Sequence, residues 1–205
     1  MQKKYPVLFL TNNENSRDLF LWLKEKNEEV YLINEKITSE IVQAYSPKVM
    51  ISFNYKYMIP KDIIDMMQGQ IFNLHISLLP YNRGASPNFF SFIENTPKGV
   101  TIHQIDEGLD TGPILAQKEL FFDESKETFA SGYEKLILEI QMLFKENWSS
   151  ISDKNYQLYA QTRGGTFHTS DDFKRIYERF PFSWNDNILA YKKKWRRIDG
   201  KGGNL

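Results

Sequence analysis

Short apolar runs at residues 7–10, 30–33, 49–53 and 71–74 recur along the chain, with amphipathic stretches between them. Runs of this length, rich in Val, Ile, Leu and Phe, suit strands buried on both faces, and the segments between them carry helical spacing. That alternation calls for parallel strands joined by crossover helices. Local signals agree with it. Asn15 in "NSRD" is expected to cap the first helix, with Asp18 at its third position and Leu19, Trp22 and Leu23 on its inward face. Thr38 or Ser39 can cap a second helix that ends before Pro47. Pro60 suits the first turn of a third, and Gly69 ends it. The run at 71–74 then delivers His75 at a strand's carboxyl end, where open α/β sheets hold their ligands.

Further on, helix is expected over 87–94, strand over 100–105 and 114–122, and a long helix over 128–147 with Phe129, Tyr133, Leu136, Ile137, Ile140 and Phe144 at helical spacing. In the strand at 100–105, Thr101 and His103 share one face and Val100 and Ile102 the other. From about residue 150 the periodicity weakens. The expected fold is α/β, a Rossmann-like open, mostly parallel sheet with flanking helices, in a domain over 1–149. A short C-terminal extension over 150–205 completes the chain. Phe180, Phe182 and Trp184 can cover a core or build a contact with a second copy, and a homodimer stays open. The basic run Lys192, Lys193, Lys194, Arg196 and Arg197 reads as a solvated helix face in preference to an anion site.

Composition narrows the partners. Lys and Arg number 26 against 26 Asp and Glu, so no global field draws nucleic acid or an anionic membrane surface. The absence of cysteine removes disulfides and thiolate metal sites and fits a reducing cytoplasm. No apolar run approaches the roughly 18 residues of a membrane span, and the N-terminal run is too short for a signal segment. A soluble cytoplasmic protein is expected, with no nucleic-acid or membrane partner.

The chemistry gathers in "FNLHISLLPYNRGASPNFF", which sets Asn73 two residues before His75, and in "DEGLDTGP", which carries Asp110. An imidazole titrates near neutrality and can give or take a proton. A carboxylate bonded to it fixes its orientation and favours its charged form. An amide adds a neutral donor. Together they can stabilise an oxyanion developing on a carbonyl, as acyl transfer requires. No nucleophilic serine or cysteine motif is present, so the acyl group would pass directly to a nucleophile of the second substrate.

These segments, with "SFNYKYMIP" ahead of them and "PKGVTIHQIDEGLDTGPILAQ" after, resemble in order and spacing the formyltransferases that use 10-formyltetrahydrofolate. The resemblance is dense from about Ser52 to Gln117. It implies Asn73, His75 and Asp110 as the catalytic set, with Asn73 and His75 holding the oxygen of the tetrahedral intermediate and Asp110 orienting His75. It places the pterin of the formyl donor near Tyr55, Tyr57, Met58 and Ile59 and against Ile105 and Asp106, and it implies no metal. Arg83 and Asn88 are candidates for contacts to the acceptor, although an arginine before Gly84 can equally pin its own loop. Within the family, "YNRGASPNFFSF" and "QTRGGTFH" are most similar to the nucleotide-sugar branch. A UDP- or dTDP-linked 4-amino-4,6-dideoxyhexose is then the expected acceptor, for a surface glycan.

Rival readings remain at this stage. An aminoacyl group on a carrier protein or a tRNA could be the acceptor, water could replace the amine, and the chain could bind without turnover. A metal-dependent hydrolase could use His75, His103 and Asp110 as ligands, but it would leave Asn73 idle. His103 could as well support the Asp110 loop, and His168 reads as structural. The loop "TNNENS" after the first strand lacks the glycine-rich turn with which some relatives hold phosphate.

Overall fold

In the computed structural model, residues 5–26 and 29–198 are described. The chain runs β1 (Pro6–Leu10), a 3-10 turn (Glu14–Ser16), α1 (Arg17–Glu25), β2 (Glu29–Ile33), α2 (Ser39–Tyr45), β3 (Val49–Ser52), α3 (Lys61–Met67) and β4 (Ile71–His75). There follow β5 (Arg83–Gly84), α4 (Pro87–Ile93), β6 (Gly99–Gln104), β7 (Ile114–Glu119), α5 (Phe129–Ser152), β8 (Phe167–His168), α6 (Ser170–Arg179) and α7 (Ile188–Ile198). A six-stranded sheet has the order β2-β1-β3-β4-β6-β7, and β1 pairs parallel with β2 and β3, as β3 does with β4. This is the expected mostly parallel α/β architecture. The continuous runs of β1 and β3 follow from burial on both faces, whereas β2 at the sheet edge buries only Val30 and Ile33 and exposes Glu29 and Leu32.

Two compact units share the chain, interleaved in sequence. One comprises Met1–His75, Ile102–Ala116 and Leu143–Ala160, the other Ile76–Thr101, Gln117–Met142 and Gln161–Leu205. The position 149, where the sequence suggested an end to the main domain, falls inside α5.

The first unit has an aliphatic core. Leu8, Leu10, Ile33, Met50 and Ile71 from the strands meet Ile37, Val42, Ile59, Ile63 and Met67. Its helices are capped much as the sequence asks. Thr38 Oγ1 accepts from the Ile41 amide at 3.4 Å, Pro60 precedes α3, and Gln68 and Gly69 take left-handed conformations to end it. The first helix starts differently from expectation. Asn13, not Asn15, provides the capping side chain, to the 3-10 turn, and Ser16 precedes α1. That turn uses the residues the sequence pattern assigns to the helix's opening.

The second unit has an aromatic core of Phe89, Phe90, Phe92, Phe129, Phe180, Phe182 and Tyr191, with Ile93 and Ile188. Here the C-terminal segment, weakly patterned in sequence, forms α6 and α7. α6 opens on a capping box between Thr169 and Asp172, and hydrogen bonds from Thr169 hold the Asp172 carboxyl down at about 2. Phe180 and Phe182 belong to this core, while Trp184 stays half exposed against Tyr133 and Phe182. Lys192 corrects the reading of a solvated basic face. It is 5% exposed and donates to Glu124 and Asn95, so only Lys193, Lys194, Arg196 and Arg197 remain on the outside. A buried ammonium needs such a partner. Among the described residues no helix is long and apolar enough to cross a membrane.

Candidate active site

Within the first unit, β4 ends on Asn73 and His75, and β6 brings His103 alongside. Parallel register pairs Ser52 with Asn73, and Ile105 N donates to Ile71 O at 2.9 Å, locking the start of the following loop to β4. That loop, from Ile105 to Pro113, is tied back at both ends. Asp106 Oδ1 accepts from the Gly108 amide at 3.0 Å and the Thr111 hydroxyl at 2.7 Å, and Gln104 N donates to Pro113 O at 2.9 Å. Gly112 is required at the closing turn, because a Cβ there would stand 1.9 Å from Gln104 O. Asp110 itself sits at φ 53, a left-handed conformation that aspartate tolerates better than most residues. Those restraints aim one carboxylate inward.

Asp110 meets both histidines and the asparagine. Its Oδ2 lies 3.7 Å from His75 Nδ1, and its Oδ1 lies 3.4 Å from His103 Nε2 and accepts from Asn73 Nδ2 at 3.2 Å. Asn73 Nδ2 is also 3.2 Å from His103 Nε2. His103 Nδ1 lies 2.7 Å from its neighbour's carbonyl, Gln104 O. The two imidazole rings stand edge to face, 6.2 Å apart at 81°. The side chains of His75 and Asp110 are 8% and 10% exposed, and Asn73 is half-buried. Water is therefore largely excluded, and charge interactions there are stronger than at the surface.

The structure thus brings Asn73, His75 and Asp110 together as the sequence suggests, and adds His103 as a fourth member. The signal for His103 was the alternation along β6, but the structure buries both faces of that strand, Val100 and Ile102 as well as Thr101 and His103. The Asn73 amide nitrogen donates to Asp110 Oδ1, and the direction of its contact with His103 Nε2 follows from the tautomer of that ring. Among the described residues no group of three or more His, Cys, Asp or Glu is arranged to hold a metal ion.

The segments expected against the pterin also belong to this unit. Ile59 is buried in the aliphatic core and Ile105 packs against it, while the Tyr55 hydroxyl donates to Glu35 O at 2.7 Å and accepts from Ile37 N at 2.8 Å. Burial pushes the Tyr55 phenol up from its ordinary value. Tyr57 meets Tyr55 edge-on, at 5.3 Å and 67°. Met58 is 60% exposed and Leu109 39%, so each of the two loops presents an apolar side chain to the outside. Exposed apolar side chains of this kind are what a flat heterocycle packs against.

Arg83 and Asn88 lie in the second unit, on β5 and α4. Arg83 pins its loop in part, its amide donating to Thr166 O and its Nη2 lying 3.5 Å from Gly164 O, yet its buried Nε has no partner among the described residues. Asn88 is 3% exposed, and its Nδ2 is likewise unmet. His168 faces Glu94 at 3.1 Å and stacks on Phe90 at 3.6 Å, consistent with a structural part.

Comparison with known proteins puts names to this geometry. Residues 2–140 match the family described as formyl transferase. A dTDP-4-amino-4,6-dideoxyglucose formyltransferase from Mycobacterium bovis is 30% identical over 184 residues, covering 83% of this chain and 76% of that protein. The crystal structure of the formyltransferase PseJ from Anoxybacillus kamchatkensis, in complex with UDP-4,6-dideoxy-4-formamido-L-AltNAc and tetrahydrofolate, superposes with a TM-score of 0.83. It is 34% identical and covers 91% of this chain and 97% of that one. A methionyl-tRNA formyltransferase from Myxococcus xanthus is 39% identical over 99 residues, but these are 48% of this chain and 31% of that protein.

Proposed function

The chain belongs to the formyl transferase family, and from that premise we propose the reaction it carries: transfer of a formyl group from 10-formyltetrahydrofolate to the amino group of a nucleotide-linked amino sugar, with Asn73, His75 and Asp110 as the reacting set. One observation supports this assignment of residues above others, namely the Asp110 carboxylate placed between His75 and Asn73. When bound, the folate supplies an activated formyl carbon. The residues then divide the work. Asp110 beside Nδ1 favours a proton on that nitrogen and the charged form of the ring. As an imidazolium, His75 donates a hydrogen bond to the oxygen that becomes negative when the amine adds. Asp110, directly or through water, takes the proton the amine must lose, and a proton delivered to the folate nitrogen would let the old formyl C–N bond break and tetrahydrofolate leave. The loops at residues 55–59 and 105–110 hold the pterin, with Met58 and Ile105 as apolar contacts. Arg83 and Asn88, with unmet buried donors, serve the acceptor.

The best acceptor is a UDP- or dTDP-4-amino-4,6-dideoxyhexose. Relatives named for sugar nucleotides match along most of this chain, whereas the tRNA enzyme matches about half of it. The test is to incubate the protein and 10-formyltetrahydrofolate with UDP- and dTDP-linked 3- and 4-amino sugars and to search by mass spectrometry for a gain of one formyl group. Formylation of a UDP- or dTDP-4-amino sugar is expected. No product from any of them, with formylation of an aminoacyl carrier or tRNA instead, would overturn the acceptor and leave the chemistry standing.

A further inference from the structure

The triangle of Asn73 Nδ2, His103 Nε2 and Asp110 Oδ1, with sides of 3.2, 3.2 and 3.4 Å, constrains its own protons. A carbonyl oxygen can only accept, so the 2.7 Å contact to Gln104 O puts the His103 proton on Nδ1. With that tautomer, a neutral ring presents a lone pair at Nε2. An amide nitrogen can only donate, so Asn73 Nδ2 gives one hydrogen to that lone pair and the other to Asp110 Oδ1. The reverse amide orientation would set an oxygen 3.2 Å from a carboxylate oxygen and is excluded by repulsion. A charged His103 would instead donate from Nε2 to Asp110 Oδ1 at 3.4 Å, a longer contact than the amide's 3.2 Å, and would set that proton against the amide's hydrogens.

We infer that His103, held as the neutral Nδ1–H tautomer by Gln104 O, is a positioning residue that fixes the Asn73 amide with its nitrogen inward, leaving the carbonyl oxygen Oδ1 as the atom offered to substrate. This rests on the formyl-transfer reading. Asn73 Oδ1 has no partner among the described residues, since both contacts of this side chain run through Nδ2. An acceptor at that place suits the incoming amine, whose N–H it can hold while the nitrogen lone pair points at the formyl carbon. The sequence-based expectation gave Asn73 a donor's part toward the oxyanion, and the proton count assigns it the opposite polarity. The oxyanion then falls to His75.

Two measurements test this. Long-range 1H–15N correlation of the imidazoles in the uniformly labelled protein, without substrate, reads the tautomer directly, and a neutral His103 protonated at Nδ1 is expected. An imidazolium or an Nε2–H tautomer overturns the inference whatever the protein formylates. The second compares His103→Leu, which removes the acceptor, with His103→Gln, whose amide oxygen can take the place of Nε2. For His103→Leu, kcat falls on the order of 10-fold to 100-fold with both KM values nearly kept, and formate released per formylated product rises because the amine is no longer held. His103→Gln recovers most of kcat and of the coupling. Equal losses in both variants, or wild-type kcat and coupling in His103→Leu, overturn it. Should His103→Leu fail to fold, the tautomer measurement on the native protein still decides. A protein that lacks transfer altogether but shows the Nδ1–H tautomer contradicts the functional reading and not the proton assignment.

Discussion

The two units solve the burial problem with different side chains. The first packs Leu, Ile, Val and Met from parallel strands and their helices, and leaves its polar groups at the strand ends, where Asn73, His75, His103 and Asp110 gather. The second packs ring against ring. Phe89 alone has ring contacts with Phe90, Phe129, Phe173, Phe182 and Tyr191 at centroid distances from 5.0 to 6.2 Å. Aliphatic residues on a sheet fix their neighbours through a repeating pleat, so a polar tip built on it inherits defined positions. An aromatic cluster draws on distant parts of the chain and holds them by area and edge-to-face geometry. The comparison teaches that stability and chemistry are separable here, and substitutions can pull them apart.

The largest separation is expected from Phe89→Ala. Phe89 is fully buried at the centre of the aromatic cluster, so its truncation should cost about 3–5 kcal/mol, read as a lower denaturant midpoint, with little change in kcat of the molecules still folded. A loss of turnover larger than the folded fraction explains would break the separation. Next comes Asp110→Asn in the first unit, which removes the carboxylate shared by Asn73 and both histidines. Formyl transfer should fall at least about 100-fold, since a proton acceptor of this kind contributes 10² to 10⁴. Its melting temperature should stay near the wild-type value.

A smaller effect sharpens the second unit's side. Tyr191 donates to Phe180 O at 2.8 Å, and burial pushes its phenol up to about 12. A phenol whose folded value exceeds the unfolded one near 10 favours the fold while protonated, so this stability is complete below about pH 10 and is lost as pH rises toward 12. Tyr191→Phe should cost about 1 kcal/mol at neutral pH for the missing bond and should make the alkaline loss shallower. An unaltered alkaline slope in the variant would show that the phenol does not report on this core.

How much could be read from sequence follows the same division. β1 and β3 were legible because strands buried on both faces are written as near-continuous apolar runs, and β4 because only Asn73 interrupts its run before His75. The opening of α1 was displaced because a 3-10 turn precedes it, with its cap at Asn13. α6 gave little signal because none of its residues is fully buried, and Phe173 and Ile176 reach the aromatic core only in part. Lys192 could not be read as buried, for its partner Glu124 is 68 positions away and nothing local marks the pair. At the site, Asn73, His75 and Asp110 were legible through the motifs that carry them and through β4 ending at His75. The proton arrangement was not, because it depends on distances between residues 30 and 37 positions apart and on the Gln104 carbonyl.

His75 is where the account is most exposed. The direct measurement is steady-state transfer of formyl from 10-formyltetrahydrofolate to a UDP- or dTDP-4-amino sugar by His75→Ala, alongside its thermal melt. Loss of the imidazole should remove about 2.7 to 4 kcal/mol of transition-state stabilisation, roughly 100- to 1,000-fold in kcat, in a protein that melts near the wild-type temperature. A folded His75→Ala that turns over within a few fold of the wild type would contradict it.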